Sequence, residues 1–252
     1  VRSVPVEPEA VRRKSHAEVL SVRGVRGALP IGVWQFDDQP TAVATGDAEM
    51  LDAFGGQVAA HGDLLQDPVS GLIAHGSFCG ETIRCHWGRG NAWWALAAVE
   101  FLELAGAAPS AWPRRLVGDV ERRLGRQLAA LAAWQPEHGV WDVLVDGQPE
   151  TAGVLETSAA AGLGAAALRA SVVLSEPPAT IEEMGWRAVR GALAYVDDGG
   201  TLTRVSARTV LQLVPFGYSV IRDDRTQPWG QGLALHAVAA AIDALARRAT
   251  TR

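Results

Sequence analysis

With 252 residues, 48% of them hydrophobic and 20% charged, the chain has material for a large buried core and too little charge for global disorder. A formal charge of −5, with Lys14 as the only lysine, excludes nucleic acid as the main partner, because no basic face can dominate. No apolar run reaches the roughly 18 residues of a membrane span, and the first residues lack the apolar centre of a secretory signal. The expectation is a cytoplasmic protein that binds neither nucleic acid nor membrane.

Residues 1–44 carry Pro5, Pro8 and Pro30, a basic Arg12–Arg13–Lys14 cluster and one helical segment at roughly 8–21, so they are expected to be irregular. From residue 45 onward helical spacing dominates. Residues 46–65 place apolar positions on one face, with acidic residues near the start that suit a helix N-terminus. A glycine turn and short strand are expected in 67–76. Cys79 and Cys85 are the only cysteines and are expected to be reduced thiols. His75 and His86 lie nearby, but their spacing matches no standard metal pattern, so neither a metal nor another cofactor is expected.

Residues 91–106 are apolar almost all round and should be buried, with Gly106 as the C-terminal cap. Residues 111–134 are amphipathic, and a second turn and strand follow in 137–147. Residues 155–174 are again apolar, with small side chains that permit close helix approach. Residues 181–196 are amphipathic, a third turn and strand occupy 197–206, and residues 229–249 are apolar until the last turn.

Aligned by Gly71, Gly139 and Gly200, the turns recur at a spacing of roughly 60–70 residues, a period typical of repeat architectures. Each unit orders its parts alike: two-faced helix, glycine turn, strand, loop, greasy helix. Half-buried helices alternating with fully buried ones build two concentric layers, so the expected fold is all-α, an (α/α) toroid. A closed ring of six such units needs on the order of 360 residues. The expectation is therefore an incomplete toroid of about three outer/inner pairs over residues 45–252, preceded by the irregular segment 1–44. Its open edges would expose apolar helix faces, and a second copy of the chain is one way to cover them.

The stretch His86–Leu96, HWGRGNAWWAL, sets three tryptophans, an arginine, an asparagine and two glycines at the entrance of the first greasy helix. Arg89 and Trp93 stand four apart and share a helix face. A guanidinium forks onto a carboxylate, an indole offers a flat surface to a sugar ring, and Gly88 and Gly90 let backbone approach a ligand. The plainer reading is that Trp93 and Trp94 fill the core while Arg89 caps a carbonyl. His75 divides between a satisfied strand-end histidine and a site residue. Glu156, Thr157 and Ser158 read chiefly as organisers of a helix N-terminus, and Asp223, Asp224 and Trp229 as a loop before the last helix.

This stretch resembles the W-x-R-G-N-x-W segment of unsaturated rhamnogalacturonyl hydrolases of glycoside hydrolase family 105 and of their relatives, the unsaturated glucuronyl hydrolases of family 88. Trp87, Arg89, Gly90, Asn91 and Trp93 carry it. The G-L-x-x-H-G turn (Gly71, Leu72, His75, Gly76), the L-E-T-S-A helix start and the closing W-G-Q-G helix follow in the family's order. The resemblance covers roughly residues 41–250 and implies a six-hairpin (α/α) barrel. It also implies a reaction in which one aspartic acid protonates the C4=C5 vinyl ether of an unsaturated uronic acid, water adds at C5, and the hemiketal opens to release the sugar.

By this resemblance His75, Trp87, Arg89 and Trp93 bind a small oligosaccharide, and Asp37 is the candidate acid, with Asp38 beside it. The acid segment departs from the family's W-x-D pattern. Asp37 stands three residues after Trp34 rather than two, and Pro40 interrupts the helix that should follow, at a cost of about 3 kcal/mol. A shortened, inactive barrel that binds saccharide or serves structurally is the alternative. A sugar epimerase on the same toroid would need paired histidines that the sequence does not show.

Overall fold

The computed structural model describes residues 29–30, 48–207 and 209–250. Apart from Leu29 and Pro30, the segment 1–44, including its helix expected at 8–21, lies outside the described residues, and so do Asp37 and Asp38. The described elements, in order, are β1 (Leu29–Pro30), α1 (Ala48–Leu65), β2 (Gly76–Phe78), β3 (Glu81–Ile83), α2 (Gly88–Ala107), α3 (Arg114–Trp134), a 3₁₀ turn (Pro149–Thr151), α4 (Thr157–Val173), α5 (Ala179–Leu193), the one-turn α6 (Phe216–Ser219) and α7 (Pro228–Thr250).

Composition sorts the long helices into two layers. α2 and α4 bury nearly every residue, as their all-round apolar character requires. α3 buries one narrow stripe, Val120, Leu124, Gln127, Leu128 and Leu131, and turns its arginines outward. α4 packs against α2, α5 and α7, so α2, α4 and α7 form the inner layer while α1, α3 and α5 lie outside it. Small residues set the spacing. A Cβ on Gly162 would come within 2.9 Å of Ala92 on α2 and 3.0 Å of Leu233 on α7. Large rings fill the seam between α1, α2 and α3, where Phe101 meets Phe54 and Trp112 edge-on at 6.3 and 5.3 Å. The Trp94 indole N–H donates to the Val58 carbonyl at 3.1 Å.

The turn glycines recur as the period requires. Gly71, Gly139 and Gly200 have φ of 81°, 84° and 80°, a backbone that side chains with a Cβ rarely adopt. The expected strands do not develop around them. Each shrinks to isolated bridges, Gln66 with Ile73, Asp142 with Leu155, and Val196 with Leu202, because the links between helices pair with a neighbour at single residues only. The described strands form one antiparallel sheet in the order β1–β2–β3. Its β2–β3 hairpin turns through Cys79 and Gly80, both at positive φ. Cys79 and Cys85 are free thiols.

Helix ends differ from expectation at prolines and at one glycine. α3 begins at Arg114, after Pro113, and α5 at Ala179, after Pro178. Gly106 lies inside α2, whose cap is Ala108, its N–H donating to the Leu104 carbonyl. On α7 the outward face is apolar: Leu235, Val238, Ile242 and Leu245 are 71, 37, 60 and 55% exposed.

Candidate active site

The inner helices α2, α4 and α7 begin at the same end of the molecule. Arg89 is in the first turn of α2, Glu156 immediately precedes α4, and Trp229 is in the first turn of α7. Arg89 joins them. Its Nη1 donates to Glu156 at 3.1 Å, Ser158 at 3.2 Å and Ser206 at 2.9 Å. Its Nη2 donates to the Ala207 carbonyl at 3.1 Å and to Thr209 at 3.3 Å. The guanidinium carbon lies 4.5 Å from the Trp87 ring centre and 5.5 Å from that of Trp229, both within cation–π range. Converging helix N-termini add positive potential to this charge, and Glu156, fully buried, supplies the counter-charge. Burial pushes the Arg89 pKa down, and the charge and hydrogen bond of Glu156 oppose that fall.

A second group of rings adjoins it. The His75 ring lies tilted against Trp87 at 4.4 Å and against Tyr218 at 5.7 Å, with Nδ1 2.6 Å from the Tyr218 hydroxyl. The Tyr218 oxygen also accepts the Gln212 N–H at 3.4 Å. Burial, with the Arg89 charge adding to it, holds the His75 pKa down at about 3, so the ring is neutral at physiological pH. Burial likewise pushes the Tyr218 phenol well above its ordinary value. Trp93 is half-buried, against the cluster of Cys85, Trp87, Val143, Leu144 and Tyr218. The buried indole N–H groups of Trp87 and Trp229, whose rings both lie against Arg89, have no acceptor among the described residues.

A model of glycosyl hydrolase family 88 matches residues 41–245, a span that takes in every residue of this cluster. The chain belongs to glycosyl hydrolase family 88. Among curated proteins it is 31% identical over 182 residues to the unsaturated rhamnogalacturonyl hydrolase YesR of Bacillus subtilis, an alignment covering 71% of this chain and 48% of YesR. The chain thus spans about half the length of that relative. Among solved structures it is similar to a possible member of glycoside hydrolase family 105 from Salmonella enterica serovar Paratyphi A, at 22% identity and a TM-score of 0.74, over 94% of this chain and 67% of that one. It is also similar to the unsaturated glucuronyl hydrolase of Bacillus sp. GL1, which degrades glycosaminoglycan, at 18% identity and a TM-score of 0.62, over 84% and 58% of the two chains. These likenesses show the α/α toroid fold.

Within the family 88 chain, the structure brings His75, Trp87, Arg89 and Trp93 to one end of the inner layer, and Asp37 lies outside the described residues. Arg89 is 3% exposed, and the donors expected to meet a sugar carboxylate are engaged by protein oxygens. Gly88 serves packing rather than ligand approach, since a Cβ there would come within 2.9 Å of Ala159 on α4. Asn91 is structural: its Oδ1 accepts the Ile73 N–H at 2.9 Å and its Nδ2 donates to the Ile73 carbonyl at 2.8 Å. Glu156 and Ser158 make no side-chain cap to α4 and turn to Arg89 instead. Asp223 and Asp224 pair with Arg204 and Arg222 at the surface. Tyr218, Ser206 and Thr209 carry no sequence signal; they stand 143, 117 and 120 residues from the groups they contact.

Proposed function

We propose that this chain carries the substrate-binding mouth of an unsaturated uronyl hydrolase, acting on oligosaccharides that end in a 4,5-unsaturated glucuronyl or rhamnogalacturonyl unit. The observation that supports it best is the pair of orphan indole donors whose rings lie against a desolvated guanidinium. Each buried N–H without an acceptor costs about 1–3 kcal/mol, which an oxygen-rich anionic ring that brought acceptors to them would recover. Tryptophan faces suit a flattened sugar, and the positive end of the inner layer suits its carboxylate.

In this reading Asp37 delivers a proton to C4 of the vinyl ether. Water adds its oxygen to C5 and returns a proton, and the resulting hemiketal opens to expel the sugar. His75, Trp87 and Trp93 hold the ring, and Arg89 sets the local charge while anchoring Glu156. The chemistry calls for no metal or cofactor. YesR, by its name, acts on unsaturated rhamnogalacturonyl substrates, which supports that class here. A second copy covering the apolar face of α7 belongs to the same proposal.

Incubation with lyase-generated disaccharides should bleach the ultraviolet band of the conjugated C4=C5 bond, and Asp37→Asn should abolish bleaching while calorimetric binding persists. Saccharide binding with no bleaching by the unaltered chain would instead identify a barrel that binds without turnover.

A further inference from the structure

The groups read as holding a sugar have almost no surface to offer it. His75, Trp87 and Arg89 are 1, 5 and 3% exposed. One surface loop touches all three. The chain leaves the inner layer at Ala207 and returns at Arg222, and the Ala207 N–H donates to the Arg222 carbonyl at 2.6 Å, so the two ends are tied together. Compact loops closed in this way are frequently functional. Between the ends, the backbone of residues 209–221 bonds to itself. The Gly217 N–H donates to the Val214 carbonyl at 3.2 Å, the Tyr218 N–H to Pro215 at 2.9 Å and the Ile221 N–H to Tyr218 at 3.4 Å.

Two side chains fasten this loop to the site. Tyr218, alone among residues 209–221 in being buried, joins the cluster of Cys85 and Trp87, and its hydroxyl lies 2.6 Å from His75 Nδ1. Thr209 accepts a hydrogen bond from Arg89 Nη2 at 3.3 Å. Val210, Leu213, Val214, Phe216 and Val220 are already 57–66% exposed, so detaching the loop uncovers little beyond the Tyr218 ring. Segments with so few buried contacts open far more readily than the whole fold. The guanidinium is divided along the same line. Nη1 is held by Glu156 and Ser158 at the start of α4 and by Ser206, whereas the acceptors of Nη2 are Thr209 and the Ala207 carbonyl at the base of the loop. Lifting the loop takes Thr209 from Nη2 and leaves the anchor at Nη1 in place.

We propose that residues 209–221 are a gate over the candidate active site, latched by Tyr218 on His75 and by Thr209 on Arg89, which lifts to admit a saccharide to the rings beneath. The proposal rests on the reading of this cluster as a saccharide site. The closed gate competes with the ligand, so the apparent affinity is the intrinsic affinity reduced by the fraction of molecules that are open. Weakening the latch raises that fraction. Removing the Tyr218 hydroxyl therefore tightens binding, the opposite of losing a ligand contact.

Amide hydrogen exchange on the full chain tests the gate with no saccharide present. The Gly217, Tyr218 and Ile221 amides should share one protection factor, lower than that of α2 and α4. Tyr218→Phe should speed all three by about twofold to tenfold, the worth of one hydrogen bond, while Ala207 at the tied base and both helices keep their rates. Protection equal to that of α2 and α4, or a rise that those helices share, would show that the loop opens only with the whole fold and would overturn the gate. Calorimetry with a lyase-generated unsaturated disaccharide, in the Asp37→Asn background, gives the second readout. Tyr218→Phe and Thr209→Val should each bind more tightly, by a similar factor. Weaker binding in both would overturn the gate and make the two side chains ligand contacts. Exchange as described, with no binding in any variant, would refute the saccharide reading while sustaining the motion of the loop.

Discussion

Arg89 is a full positive charge with 3% of its surface in water, and Glu156 answers it with none. Desolvating both ions costs several kcal/mol apiece, and the pair persists because its hydrogen bonds to Ser158, Ser206, Thr209 and the Ala207 carbonyl are satisfied. Removing one partner strands the other, so Glu156→Gln is expected to destabilise the fold by about 3–5 kcal/mol. The double change Glu156→Gln with Arg89→Met should cost clearly less than the sum of the single changes, measured as a urea-unfolding cycle; additivity would show that the two charges do not sense each other. His75 supplies a pH signature. The folded ring refuses a proton until about pH 3, whereas the unfolded ring accepts one below about 6.5. Its contribution to stability is therefore complete above pH 6.5 and is lost as the pH falls toward 3, by up to about 1.4 kcal/mol per unit. The urea midpoint should drop between pH 6.5 and 5 in the unaltered chain and drop less in His75→Phe; parallel curves would place the titration on another group.

Gly139 shows what the repeat demands of an element. Its φ is 84°, and a Cβ there would collide with the Arg187 carbonyl, where the turn runs under α5; Gly200 shares the backbone, with φ 80°, but faces open space. Gly139→Ala should therefore cost about 2–5 kcal/mol, from left-handed strain plus overpacking, and Gly200→Ala only about 1–2 kcal/mol from strain alone. Thermal midpoints of the two variants decide it, and equal losses would mean that the turn relaxes around the added methyl. The same turns mark how far the sequence could be read. Their period was visible because a positive φ selects glycine, and the layers were visible because α2 and α4 lack a polar face. The strands were misjudged, since local spacing does not reveal whether a partner strand lies alongside. Arg89 stood out from its neighbours in the chain, but its acceptors come from segments 67 to 120 residues away, and only the closing of the inner layer brings them together. The purpose of Gly88 was misread for the same reason: Ala159, the atom group it must clear, belongs to another helix.

On the scale of the molecule, the inner layer ends on α7, whose buried side, Gly230, Leu233, Ala237, Ala240 and Ala244, faces the rest of the fold. The opposite side carries Leu235, Val238, Ile242 and Leu245, spaced three, four and three apart, which is the seam of a two-stranded coiled coil. Such a stripe is self-complementary, because apolar knobs at this spacing fit the holes of an identical helix. Burying a single leucine or isoleucine contributes about 1.5–3 kcal/mol, so one charge placed in the seam removes a large part of what holds two copies together. The unaltered chain is expected to sediment as a dimer at micromolar concentration. Ile242→Glu should shift it to monomer while leaving the near-ultraviolet circular dichroism of the buried tryptophans unchanged, since Ile242 is 60% exposed within one chain. A monomer in the unaltered chain at that concentration would remove the second copy from the proposal and leave the Arg89 cluster, which draws every one of its contacts from a single chain, as it stands.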